Sequence, residues 1–102
     1  MFGMVYIATN KRNGKKYVGA TIQSLESRKR QHLSEARGHI LNDNRWRNAI
    51  IRFGCNGFDW KPLDYADSKE MLRTKERKWI ILLRTNERKF GYNIRPAFHM
   101  EE

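Results

Sequence analysis

The stretch that decides the fold is residues 4–32, which read MVYIATNKRNGKKYVGATIQSLESRKRQH. It contains two short runs of β-branched and aromatic residues, each built around a tyrosine, Tyr6 or Tyr17, with basic and polar residues between them. Such runs predict two strands, residues 4–8 and 16–20. Asn13-Gly14 between them is a strong hairpin signal, because both central positions of a two-residue turn require a positive φ.

A two-residue turn at Asn13-Gly14 would fix the register of these strands. The opposed pairs would then be Tyr6–Thr21, Ala8–Gly19 and Asn10–Tyr17. Because side chains alternate between the two faces of a sheet, both tyrosines fall on one face, together with the small residues Ala8 and Gly19. These small residues leave open space between the phenols. The opposite face would carry Val5, Ile7 and Val18.

A helix is predicted immediately after the hairpin. Ser24 is a good N-cap and Glu26 favours the first turn, so the helix should run from about residue 25 to residue 37 and end at Gly38. Arg28 and His32 are one turn apart on the edge of its apolar stripe, so their side chains should be neighbours.

A second helix should begin at one of three capping residues, Asn42, Asp43 or Asn44, and end at Gly54. Its buried face would consist of Trp46, Ala49, Ile50 and Phe53.

The remaining segments complete one small domain. Residues 57–65 have the pattern of a third strand, Ser68 would cap a third helix over about residues 69–84, and residues 91–94 would form a closing extended piece. The predicted fold class is α/β (α+β), a mainly antiparallel three-stranded sheet flanked by three helices, in a single domain of residues 1–102.

The predicted third helix has one charged residue within its apolar stripe. At 100° per residue, Glu76 lies among Leu72, Trp79, Ile80 and Leu83. Burying a carboxylate is costly unless a cation or hydrogen bonds compensate for it. A bound metal ion and a salt bridge to an arginine each explain this position.

The charge of the chain indicates its class of partner. The 102 residues carry a formal net charge of +10, with 21 lysines and arginines against 11 aspartates and glutamates. Residues 10–52 contain eleven of the basic residues and three of the acidic ones, so a phosphate-binding surface is predicted on this half. A basic surface that only keeps the protein in solution is the alternative.

Other classes of protein are disfavoured. Cys55 is the single cysteine, which excludes an intrachain disulfide framework and a cysteine-rich zinc site and fits a reducing cytoplasm. No segment has the pattern of a signal peptide, and no apolar run approaches ~20 residues, so no membrane partner is expected.

Taken together, these motifs resemble those of the GIY-YIG endonuclease family. That family opens with a Gly-Ile-Tyr strand and a Tyr-Ile-Gly strand, followed by a helix of the form Ser-Leu-Glu-x-Arg-x-x-x-His. The corresponding residues 4–6, 17–19 and 24–32 of this chain read MVY, YVG and SLESRKRQH. The resemblance continues through the family's second-helix segment, metal-binding helix and closing motif, at residues 46–54, 72–80 and 91–93.

The resemblance implies a metal-dependent endonuclease that hydrolyses DNA phosphodiester bonds at a single active site in a bacterial or phage-infected cytoplasm. Glu76 would be the ligand of Mg²⁺ or Mn²⁺, Arg28 would bind a nonbridging phosphate oxygen, and His32 would bind phosphate or assist proton transfer. Either Tyr6 or Tyr17 would take the proton of the attacking water, with Tyr6 favoured as the base and Tyr17 as a positioning group. No small-molecule cofactor is implied. The further DNA-binding residues would be Lys15, Lys16, Lys29, Arg45, Arg47 and Asn93.

Two rival interpretations are open at this point. A non-catalytic basic module would bind nucleic acid by stacking its tyrosines on bases, with Glu76 in a structural salt bridge. Alternatively, the chain is the isolated catalytic domain of a longer homing or repair nuclease. Magnesium-dependent nicking that substitution of Glu76 or Arg28 abolishes would distinguish an enzyme from a binding module.

Overall fold

The computed structural model describes residues 1–37 and 45–93. Both strand pairings of its one sheet are antiparallel, in the order β2-β1-β3. This is the predicted fold class, three antiparallel strands with three helices. The elements in chain order are β1 (Gly3–Asn10), β2 (Lys16–Thr21), α1 (Leu25–Arg37), α2 (Arg45–Phe53), a 3₁₀ turn (Cys55–Gly57), β3 (Phe58–Ala66) and α3 (Lys69–Leu83).

The sheet separates two hydrophobic clusters. One face packs against α2 and the closing segment, and its buried residues are Ala8, Trp46, Ala49, Ile50, Phe58 and Tyr92, with Tyr17 packed beside them. The other face packs against α3, and its buried residues are Val5, Val18, Ala66, Leu72 and Ile80. The predicted division of the hairpin into a tyrosine face and a valine face is therefore confirmed.

The predicted register of the hairpin is wrong by two residues. β1 and β2 pair Tyr6 with Gly19 and Ala8 with Tyr17, because residues 11–15 connect the strands where a two-residue turn was expected. A shift by an even number of residues leaves every side chain on its predicted face. The two tyrosines consequently still share a face.

Asn10 explains the longer connection. The side-chain Oδ1 of Asn10 accepts hydrogen bonds from the backbone amides of Arg12 (2.8 Å) and Asn13 (3.4 Å). The backbone amide of Asn10 donates to Lys15 O (2.8 Å). Gly14 has a positive φ of 76°, but Asn13 does not. The two-residue turn needs a positive φ at both positions, so it does not form.

Local capping signals are confirmed at both ends of helices. The amide of Ser27 donates to Ser24 Oγ at 3.1 Å, and the amide of Met71 donates to Ser68 Oγ at 3.1 Å. Arg84 ends α3 in the left-handed conformation, with a φ of 58°. Gly54 follows α2 with a φ of 73°, as predicted. The predicted cap residues Gly38 and 42–44, and Ile94, lie outside the described residues.

The closing segment lies along the free edge of β2. The amide of Lys16 donates to Phe90 O (3.1 Å), and the amide of Tyr92 donates to Lys16 O (2.9 Å), which forms a parallel bridge. A Cβ on Gly91 would lie 2.5 Å from Lys16 O and from the backbone of Thr85. Only glycine allows this approach. None of the described helices has the length and apolar character needed to cross a membrane.

Candidate active site

The residues that the sequence singles out for catalysis come from four elements and meet in one region. Tyr6 lies on β1, Tyr17 on β2, Arg28 and His32 on α1, and Glu76 on α3. The rings of Tyr6 and Tyr17 are 6.3 Å apart, and that of His32 is 6.0 Å from the first and 5.7 Å from the second. The charges of Arg28 and Glu76 both act on the pKa of each phenol.

Tyr6 is fully enclosed, with an exposed fraction of 0 %. Its phenol oxygen lies 2.6 Å from His32 Nε2, and the positive charge of Arg28 lowers the pKa of the phenol. Burial raises the pKa of Tyr6 well above its ordinary value, and the neighbouring Tyr17 adds to this, whereas Arg28 opposes it. Tyr6 is therefore protonated at neutral pH and lies below the surface that a substrate would contact.

Tyr17 is only partly buried and is held by its neighbour on α2. Its ring stacks on that of Trp46, with centroids 4.1 Å apart and an angle of 3° between the planes. Burial, followed by the charge of Glu76, raises the pKa of Tyr17 to about 12, and Arg28 acts in the opposite direction. Of the two phenols, Tyr17 is thus the one with access to the surface.

His32 is buried and neutral. Its Nε2 faces the Tyr6 phenol, and its Nδ1 accepts a hydrogen bond of 3.1 Å from the indole Nε1 of Trp46. Burial, together with the positive charge of Arg28, lowers the pKa of His32 to about 3. With both ring nitrogens engaged inside the protein, His32 does not present a cation to a phosphate at neutral pH.

A cleft of about 150 Å³ opens between α1 and α2. Neither Tyr6 nor Glu76 lines it, and Tyr17 forms part of its wall. Two guanidinium groups in the wall give it a positive character suited to a phosphate. The lining residues are Tyr17, Arg28, His32, Glu35, Trp46, Arg47 and Ile50.

Glu76 is half-buried on α3, and its charge raises the pKa of both phenols. Burial raises the pKa of its carboxyl, and the charges of Arg73 and Arg28 lower it only partly in return. The neighbouring arginines therefore compensate only part of the cost of burying this negative charge.

The six residues predicted to bind DNA fall into two groups. Asn93 is buried, and its amide both donates to Val18 O and accepts from Val18 N, each at 2.9 Å, so it braces β2. Arg45 donates to the carbonyl oxygens of Asn86 (3.3 Å) and Asn93. The described polar contacts of these two residues are therefore made within the fold.

The other four basic residues lie at the surface or in the cleft. Lys15 is partly exposed in the hairpin loop, and Lys16 beside it donates to Gly14 O. Lys29 on α1 is 3.6 Å from the Glu26 carboxylate and 5.9 Å from the centre of the Trp60 ring. Arg47 lines the cleft.

Sequence reasoning placed Trp46 on the buried face of α2 and gave it no role in the site. In the structure this residue contacts both Tyr17 and His32. One general signal was available, since a buried indole N–H needs an acceptor, but the sequence does not indicate which acceptor it meets.

Comparison with known proteins identifies the family of this chain. The family model of the GIY-YIG catalytic domain matches residues 2–93. The chain belongs to the GIY-YIG family, a class of nuclease domains that act on DNA.

The fold is similar to that of two solved structures of the catalytic domain of I-TevI. One is described as an intron endonuclease in mutant form and the other as a homing endonuclease. Both have a TM-score of 0.72 and 23% sequence identity. The first alignment covers 94% of this chain and 96% of that one, and the second covers 91% and 98%. No curated protein sequence matches this chain.

Proposed function

We propose that this chain is an endonuclease that hydrolyses DNA phosphodiester bonds at a single active site with a divalent metal ion. The observation that carries this proposal is the convergence of two phenols, a guanidinium and an undercompensated carboxylate. Arg28 and Glu76 each act on the pKa of both tyrosines, although these four residues come from four different elements. Titratable groups with perturbed pKa values are enriched at catalytic sites.

Glu76 would hold the metal ion. No group of three or more histidine, cysteine, aspartate or glutamate side chains converges within residues 1–37 and 45–93, so the described side chains offer one carboxylate and not a closed cage. One carboxylate suits Mg²⁺ or Mn²⁺, which keeps most of its water and shares its shell with substrate oxygens. When bound, the ion would polarise the phosphate and stabilise charge on the departing oxygen.

The residues of the cleft would bind and orient the scissile phosphate. Arg28, with Arg47 on the opposite wall, would neutralise charge that develops on the nonbridging oxygens. Tyr17 lines the cleft, and its partial exposure favours it as the phenol that meets the attacking water. The enclosed position of Tyr6 favours a supporting role through Arg28 and His32. This reverses the roles that the resemblance to the family favoured for the two tyrosines.

The substrate would be drawn to this face by its charge. The net charge of +10 attracts a polyanion at a distance. The partly exposed Lys15, Lys16 and Lys29 would contact the DNA backbone beyond the cleft. Such contacts bind phosphates of any sequence and set the salt dependence of binding.

A plasmid-nicking assay tests this proposal. Supercoiled DNA is incubated with the protein and Mg²⁺, Mn²⁺ or a chelator, using wild type, Glu76→Gln and Arg28→Ala. Either substitution should lower the nicking rate by on the order of 100-fold, and the chelator should abolish nicking. Glu70→Gln and Arg30→Ala are matched controls, since they remove the same charges from exposed positions of the same helices. DNA binding without nicking in wild type would instead identify a non-catalytic module.

A further inference from the structure

Trp46 contacts two residues of the candidate site at once. Its ring stacks on Tyr17, and its Nε1 lies 3.1 Å from His32 Nδ1. Trp46 and His32 are both buried, with exposed fractions of 7 % and 5 %. A hydrogen bond between two such enclosed groups is shielded from competition by water, so it constrains both partners.

The chemistry of the indole decides which nitrogen of His32 carries a proton. An indole N–H only donates, so the Nδ1 atom that faces it must offer a lone pair. A neutral imidazole has one N–H, which is then on Nε2. Nε2 lies 2.6 Å from the Tyr6 phenol oxygen, and its proton must therefore point at that oxygen.

We propose that Trp46 is a positioning residue that holds His32 as its Nε2–H tautomer, so that His32 donates a hydrogen bond to Tyr6 and does not accept its proton. The tautomer is a property of the resting protein. Only its consequence for catalysis rests on the proposed function.

This tautomer determines what Tyr6 does. The phenol oxygen accepts from His32, which occupies one of its two lone pairs, and the positive charge of Arg28 also acts on it. The proton of Tyr6 is then available only to a third partner, and His32 is not its base. The His32 donor and the charge of Arg28 would also stabilise a phenolate if that proton left.

The surroundings of His32 oppose a change to the charged form. Protonation of Nδ1 would set one N–H against the N–H of Trp46. Burial and the charge of Arg28 on the same helix act in the same direction. The other titratable or aromatic groups that face His32 or share its cleft are Tyr6, Tyr17, Glu35, Arg47 and Trp60.

The tautomer can be read by long-range ¹H–¹⁵N NMR of protein labelled in its histidines, with the His32 signals assigned by their loss in His32→Gln. At neutral pH, wild type should show a protonated Nε2 and a bare Nδ1, and these signals should not titrate down to pH 5. A protonated Nδ1 in wild type would overturn the proposal without any variant.

Two tryptophan variants separate the indole donor from general packing. Trp46→Phe keeps a ring against Tyr17 but removes the N–H, and the ratio of Nε2–H to Nδ1–H tautomers should fall by about fivefold or more. Trp60→Phe is the matched control. The Trp60 ring is 5.9 Å from that of His32, but its N–H donates to Cys55 O, so the tautomer ratio should stay as in wild type. An unchanged ratio in Trp46→Phe, or an equal change in both variants, would contradict the proposal.

The positioning role has a separate readout in nicking. Trp46→Phe should lower kcat by about tenfold, as a misplaced supporting hydrogen bond does at other sites, with little change in KM and none of this loss in Trp60→Phe. Wild-type kcat in a Trp46→Phe protein with an altered tautomer ratio would refute the role in catalysis. Failure of wild type to nick DNA would refute the proposed function. The NMR spectra would still show which tautomer His32 adopts.

Discussion

The phenol of Tyr6 lies directly over Gly19, its cross-strand partner on β2. A Cβ on Gly19 would come within 2.5 Å of Tyr6 Cζ, well inside the distance at which carbon atoms repel each other. Gly19 has no positive φ, so the backbone does not require a glycine here. The missing side chain instead provides the space in which Tyr6 meets His32.

Gly19→Ala should therefore displace Tyr6 and break its contact with His32. We expect the nicking rate to fall by more than about tenfold and the free energy of unfolding to fall by about 1–3 kcal/mol, as for other overpacked sites. Gly14→Ala is the control, since its Cβ meets open space but its φ of +76° is strained. It should lose stability while nicking at the wild-type rate. Wild-type nicking by Gly19→Ala would show that this contact is dispensable.

The different exposure of the two phenols predicts different losses when each hydroxyl is removed. Tyr17→Phe should lower kcat by about 100-fold or more, because it removes the phenol that would meet the attacking water. Tyr6→Phe should lower it by about tenfold, because Tyr6 acts through its neighbours. Both variants keep their rings, so circular dichroism should show intact folds. Single-turnover rates at saturating Mg²⁺ measure the difference, and a larger loss in Tyr6→Phe would assign the base to Tyr6.

Much of the fold follows from local signals in the sequence. The helix starts at Ser24 and Ser68 are predictable because a cap depends on its own first turn. The register of the hairpin is not predictable in this way, because the length of its loop depends on the contacts of Asn10. The Asn10 side chain accepts a hydrogen bond from the loop amide of Arg12 and donates one to the Tyr92 hydroxyl, 82 residues away in the chain. No local pattern contains that contact.

The candidate site divides in the same way. The sequence places both tyrosines on one face and Arg28 one turn from His32, since these relations are set by strand and helix periodicity. It does not distinguish the enclosed Tyr6 from the partly exposed Tyr17, because that difference depends on how α1 and α2 cover the sheet. The contact of Trp46 with His32 requires the packing of two helices and has no local signature.

His32 should make the protein less stable in acid. Its pKa is about 3 in the folded protein, against 6.5 for the free side chain. Between these values the unfolded chain binds a proton that the folded protein does not, so stability falls as pH falls. From pH 7 to pH 5 this costs about 2 kcal/mol. Urea unfolding at both pH values should show a smaller loss in His32→Gln than in wild type, and an equal loss would contradict the lowered pKa.

Glu76 should make the protein less stable at neutral pH. Burial raises the pKa of its carboxyl, so as pH rises above the ordinary value the unfolded chain releases a proton that the folded protein retains. Stability then falls with rising pH, until the folded-state pKa is passed. Glu76→Gln should consequently gain on the order of 1 kcal/mol at pH 7, although its nicking should be strongly reduced.

Mg²⁺ should reverse this cost in wild type. An ion that binds the folded protein raises its Tm in proportion to the logarithm of its concentration. Thermal unfolding with increasing Mg²⁺ should raise the Tm of wild type and of the control Glu70→Gln, but not that of Glu76→Gln. An equal rise in all three proteins would place the ion elsewhere.

The residues predicted to bind DNA should separate into two experimental classes. Asn93→Ala removes both hydrogen bonds to the Val18 main chain, so it should cost about 2–3 kcal/mol of stability. In the protein that stays folded, the salt dependence of DNA binding should be that of wild type. Lys15→Ala removes the charge of a partly exposed side chain, so it should change the Tm little and weaken DNA binding at low salt.

The decisive measurement for this division is the slope of log affinity against log salt concentration. Loss of one phosphate contact reduces that slope by about 1, and Lys15→Ala should show this reduction. A residue that acts through the fold changes the amount of competent protein but not the number of phosphates contacted. A reduced slope in Asn93→Ala would mean that its amide reaches DNA after rearrangement of β2, since in the present structure both polar atoms of that amide are bonded to Val18.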